Sequence, residues 1–178
     1  MTLVVVGLMQ LWSYGAARAQ PADAPTRWPD ACGIERDPSK PTLLVFAHPH
    51  CPCTRATISE LERIAARCRD EVSIVVLFIL PPTLDDEWAK SERWNAAAAI
   101  PNVVVRLDRD GVHATRFGAR ASGQTLLYDR RGELVFAGGV TASRGHEGDN
   151  PGAAAVIAFA RDGRASCSSA PVFGCELL

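Results

Sequence analysis

The 178-residue chain lacks several things. It has no surplus of charge of one sign, with a formal net charge of −1 and no stripe of Lys or Arg. That excludes an electrostatic nucleic-acid surface. It has no internal repeat and no low-complexity tract, and its composition is not that of a disordered chain. No apolar run is long enough for a comfortable membrane span. The longest candidate near the start, Leu3 to Leu11, falls well short of the ~20 residues a transmembrane helix needs.

The Leu3–Leu11 run is followed by Ala17-Arg18-Ala19 before Gln20, the small-x-small form of an export-signal cleavage site. The basic residues that usually precede such a run are missing, which points to a start upstream of Met1. Residues 1–19 are therefore expected to be a signal peptide, the alternative being an uncleaved membrane anchor. Residues 20–40, opening with Pro21-Ala22-Asp23-Ala24-Pro25, are expected to be a tether, and 41–178 one folded domain with room for a sizeable core. The expected location is the periplasm, where disulfides persist.

Six cysteines are present, at 32, 51, 53, 68, 167 and 175. Cys51 and Cys53 stand apart by context. Thr42-Leu43-Leu44-Val45-Phe46-Ala47 is a short apolar run with β-branched and aromatic members, a buried strand. Beyond the corner, apolar residues at 58, 61, 64, 65 and 68 follow the helical period. Cys51 then fits the N-cap, Pro52 the first helical position and Cys53 the first turn. Unpaired amides and the positive end of the helix dipole favour a thiolate there, the reactive form of cysteine. For the remaining thiols the expected bridges are Cys32–Cys68 and Cys167–Cys175. The rival is that Cys175 meets the corner in space as a third redox thiol.

The rest of the chain alternates. Val72 to Leu80 is a near-continuous apolar run, the mark of a central strand covered on both faces. Pro81-Pro82 stops it, and Thr83 to Ile100 reads as one helix with Trp88 and Trp94 on different sides. Val103 to Leu107 is a third strand, and a short helical piece runs from Val112 to Phe117, closed by Gly118. Thr125–Asp129 and Glu133–Ala137 flank a turn as a hairpin. A last helix starts at Pro151 and ends at Asp162-Gly163. This order predicts an α/β fold with parallel crossovers and an antiparallel edge. Its chemistry should lie at the carboxyl end of the first strand.

The segment Val45-Phe46-Ala47-His48-Pro49-His50-Cys51-Pro52-Cys53 resembles the strand-to-helix active site of the thioredoxin-like superfamily. More narrowly the chain is similar to the exported, RedB-type thioredoxin-like proteins. The matching pieces are His48 to Ala56, Ser122 to Asp129, Arg144 to Asn150 and Pro171 to Cys175. The resemblance implies a three-layer α/β/α sandwich with a central mixed sheet. It also implies a thiol–disulfide oxidoreductase without an organic cofactor, in which Cys51 attacks and Cys53 resolves. Its partners would be exported proteins carrying thiols or disulfides, with no nucleic acid and with membrane only if the N-terminal segment stays uncleaved. The motif is one residue shorter than Cys-x-x-Cys, and Gln124 stands where thioredoxins carry a cis-proline. The Gln124 amide is expected to serve whatever occupies the cleft.

A disulfide across one intervening residue departs from relaxed geometry, which makes it easier to reduce. The couple is therefore expected to lie above the roughly −300 mV below which structural disulfides fall. His48 and His50 flank the corner; an imidazolium at His50 would stabilise the Cys51 thiolate. His146, in a Gly-rich loop with Glu147 and Asp149, is expected to stand on a solvated surface loop, the alternative being a partial lid over the corner with His146 as an acid–base partner or further ligand. The alternative is a Cu(I) chaperone related in fold to the Sco proteins, with Cys51, Cys53 and His50 as ligands. Neither flank of Cys51 carries the Thr-x-x-Cys pattern of a thiol peroxidase.

Overall fold

A computed structural model describes residues 4–7, 9–10, 17–19 and 23–177. The expected export signal falls largely outside the described residues. Among the described residues, no helix is long and apolar enough to cross a membrane.

Five strands form one mixed sheet: β1 (Thr42–Ala47), β2 (Ser73–Leu80), β3 (Val103–Arg109), β4 (Gln124–Tyr128) and β5 (Leu134–Gly139), in the order β3-β2-β1-β4-β5. β1, β2 and β3 run parallel, β4 is antiparallel to β1, and β5 to β4. The helices are α1 (Pro52–Cys68), α2 (Asp86–Ala89), α3 (Glu92–Ala98), α4 (Val112–Arg116) and α5 (Pro151–Asp162). This is the expected thioredoxin-like sandwich. β1 lies at the centre and is buried along its whole length, so its apolar residues divide between two cores by the two-residue strand period. Leu43, Val45 and Ala47 face α1 and α5, packing with Ile58, Leu61, Ile64 and Val156. Leu44 and Phe46 face α4 and the N-terminal segment, packing with Phe117, Ile34 and Tyr128.

Three expectations are corrected here. Residues 83–100 form two helices, because Asp85 caps α2 by accepting from the Trp88 amide and Ser91 starts α3 by accepting from that of Trp94. The break turns Trp94 onto Phe78 in the first core and Trp88 toward the two histidines. Residues 23–40 are not a free tether. Cys32 and Ile34 are buried, Trp28 packs edge-on against Phe117 and Tyr128, and the Tyr128 hydroxyl donates to the Pro25 carbonyl at 2.9 Å. The bridge Cys32–Cys68 does not form, because Cys32 belongs to one core and Cys68 to the other, with the sheet between them. Burial pushes the Cys68 thiol up to about 11, leaving it an inert apolar filler.

The chain after α5 decides the site. The Ala137 amide donates to the Ser168 carbonyl, and the tail then crosses the end of β4 beside Arg120–Ser122. The Ser122 amide donates to the Cys175 carbonyl at 2.8 Å and the Leu177 amide to the Arg120 carbonyl at 3.0 Å. Phe173 and Leu177 are buried. A side chain at position 174 would strike the Ser122 carbonyl, so only glycine allows this approach.

Candidate active site

Cys51 is the N-cap of α1, with extended backbone (φ −73°, ψ 124°), and Pro52 opens the helix. The Thr54 amide donates to the Cys51 carbonyl at 3.1 Å, and the Cys51 amide donates to the His48 carbonyl at 3.2 Å. No side-chain oxygen caps the helix, so its first amides remain for sulfur.

The Cys51 thiol lies lower than an ordinary cysteine. Burial opposes this, but is outweighed by the Cys175 thiol, the Cys175 amide and the helical amides of Cys53 and Thr54, all directed at its sulfur. The Cys51 and Cys175 Sγ atoms are hydrogen-bonded at 3.0 Å. Cys53 moves the other way: burial raises it, the neighbouring Cys51 charge and the hydrogen bond to Cys51 add to that, and Arg144 opposes. Cys175 is pushed up to about 11, first by burial and then by Cys51. The arrangement favours the charge on Cys51 over Cys53 and Cys175.

The sulfurs are covered. Cys51 is 2% exposed and Cys53 7%, whereas Cys175 is partly exposed. The cover is the C-terminal tail, which places Cys175 against Cys51. Cys175 therefore does not bridge to Cys167, whose sulfur instead points at the Pro151 carbonyl 3.8 Å away.

Several expected residues hold the corner without touching the sulfur. The His50 amide donates to His48 Nδ1 at 3.1 Å, so His48 carries its proton on Nε2. Burial, with help from His50 and Arg93, keeps His48 below the usual imidazole range and hence neutral. His50 points its Nε2 at the Trp88 carbonyl, 2.9 Å away, and stacks on that indole rather than serving Cys51. Gln124 is fully buried, and its amide accepts from the Arg120 amide and donates to the Gly118 carbonyl. It shapes the 118–120 loop and offers nothing to a cleft. His146 is exposed; Arg144 is the residue of that loop that reaches a cysteine, Cys53. The loop is pinned by the Gly148 amide, which donates to the buried carboxylate of Glu60 at 2.6 Å.

Arg144, Ser122 and Thr54 are functional neighbours that residue type alone did not mark. The Thr54 hydroxyl donates to the His48 carbonyl at 3.0 Å, so its contact with Ser122 at 2.8 Å has Ser122 as donor. The Ser122 oxygen in turn accepts from the His48 amide at 3.0 Å. This pair ties the tail-bearing loop to the cysteine corner. The sequence signal for it was that both residues stood in the segments carrying the family resemblance.

The copper set is corrected as well. Among the described residues no three His, Cys, Asp or Glu side chains are grouped to hold a metal ion, so Cys51, Cys53 and His50 do not converge. Two thiolates on one tetrahedral ion with metal–sulfur bonds of about 2.3 Å stand roughly 3.8 Å apart. The Cys51–Cys175 separation is shorter, within about an ångström of the ~2.05 Å of a disulfide. The geometry suits sulfur–sulfur bonding.

No protein-family model matches the chain, and neither does any curated protein. Among solved structures the chain is similar in fold to a hypothetical protein from Sinorhizobium meliloti, at 20% identity over 90% of this chain and 95% of that one, with a TM-score of 0.63. It is similar also to an uncharacterized conserved protein from Geobacillus kaustophilus, at 21% identity over 92% and 90% of the two chains, with a TM-score of 0.62. The likeness is one of fold alone.

Proposed function

We propose that the chain is a thiol–disulfide oxidoreductase acting on cysteines of exported proteins in the periplasm. The observation that carries this reading is the Cys51 sulfur, held at a helix N-cap by amide and thiol donors with a second sulfur 3.0 Å away. A stabilised thiolate beside a partner thiol is the reduced half of a redox couple. Closing the sulfur–sulfur bond releases two electrons to a partner disulfide, which leaves as two thiols. Because the reduced form is stabilised, the couple favours oxidising its partners. The small-x-small pattern at Ala17-Arg18-Ala19 after the apolar Leu3–Leu11 run supports the location.

Disulfide exchange between the purified reduced chain and glutathione disulfide tests the activity. Exchange lost in Cys51→Ser, with a reduction potential above roughly −300 mV, is the expected result. Exchange unaffected by Cys51→Ser overturns the reading. Recovery of the chain in the periplasmic fraction after osmotic shock tests the location, and retention in the cytoplasm overturns it.

A further inference from the structure

Exchange with a protein needs a sulfur that is ionised and a sulfur that can be reached, and here the two belong to different residues. Cys51 is the thiol whose ionisation its surroundings favour, but it is 2% exposed. The tail above it is fixed by two main-chain hydrogen bonds and by the buried Phe173 and Leu177. Cys175 stands on the wall of an open cavity of ≈ 510 Å³, alongside Arg120, Arg144 and Glu176. Its sulfur lies 3.0 Å from that of Cys51.

Resting on the oxidoreductase reading above, we propose that Cys175 is the catalytic thiol that meets the partner, and that Cys51 resolves from within. Cys175 passes its proton to the Cys51 thiolate along their hydrogen bond and attacks the partner disulfide. A Cys175–partner bond forms, and the first partner sulfur leaves, taking that proton from Cys51. The Cys51 thiolate then attacks the Cys175 sulfur. The Cys51–Cys175 bond forms, the Cys175–partner bond breaks, and the second partner sulfur leaves and is protonated by water. The partner gains two electrons and two protons, one from Cys175 and one from water, and the chain ends as a Cys51–Cys175 disulfide. In reverse, a partner thiolate attacks the partly exposed Cys175 and Cys51 departs, the better leaving group because its thiolate is stabilised. Cys53 lies outside this cycle, its hydrogen bond supporting the Cys51 charge.

The test uses the full chain with glutathione disulfide as the partner, read by peptide mapping and exchange rate. The expected outcome is a Cys51–Cys175 disulfide as the first oxidised species and at least tenfold slower exchange in Cys175→Ser. Tenfold corresponds to about 1.4 kcal/mol in the barrier. Circular dichroism of Cys175→Ser checks that the variant is folded, and the map of the unaltered chain needs no variant. A Cys51–Cys53 disulfide as the first species overturns the inference. So does exchange that survives Cys175→Ser but fails in Cys53→Ser; both results leave the oxidoreductase reading standing. Exchange indifferent to Cys51 overturns both.

Discussion

A charge on the Cys51 sulfur survives burial only because several donors point at it. Replacing Cys175 by Ala removes one thiol donor and leaves the amides. The Cys51 titration, followed by ultraviolet thiolate absorbance, is expected to move upward toward its ordinary value of 9.0. His48 carries a pH dependence of the opposite chemistry. Its folded value lies below the ordinary 6.5, so the unfolded chain binds the proton first. The stabilisation from neutral His48 is complete above 6.5 and is lost as pH falls through the folded value. Urea denaturation at neutral and mildly acidic pH should show the loss, and His48→Gln should diminish it. Ser122 is buried with its hydroxyl both donating and accepting. Ser122→Ala leaves the His48 amide unpaired and should lower stability by about 1–3 kcal/mol in denaturant titration.

At the scale of elements, the tail and the Gly-rich loop act as clamps on the first turn of α1. Gly174→Ala forces the tail off the Ser122 carbonyl. Alkylation of Cys51 at neutral pH, slow in the parent because the sulfur is covered, is expected to quicken in that variant. Helix α1 itself was legible in the sequence, since its apolar period, its proline at the first position and its strand partner are all local patterns. The division of 83–100 into two helices is not legible in the pattern of residues, although Asp85 and Ser91 are both good N-caps. The Ala and Trp pattern runs through both caps without a break, and the Ser91 hydroxyl donates to the Pro49 carbonyl at 3.0 Å. That bond anchors α3 to the cysteine corner.

For the whole molecule, the second core shows why the N-terminal segment belongs to the domain. The short α4 covers little of that face, and Trp28, Cys32 and Ile34 cover the rest. Removing residues 23–34 would expose Phe117 and Tyr128, both fully buried. The truncated chain is expected to lose cooperative thermal unfolding, and Phe117→Ala in the full chain should cost about 3–5 kcal/mol.

By itself the sequence determined the strands, most of the helices, the two-sided burial of β2 and the placing of Cys51 at a helix N-terminus. Each is written in residues a few positions apart, where side-chain period, proline and capping rules operate. The assignment of thiols to one another needed the tertiary structure. Cys175 is 124 positions from Cys51, and Cys32 and Cys68 are parted by a sheet whose faces no spacing reveals. The same holds for Ser122 on Thr54 and for Arg144 on Cys53, contacts made by chain closure across the end of the sheet. Local periodicity fixes which face a residue shows, whereas only the folded chain fixes what stands opposite it.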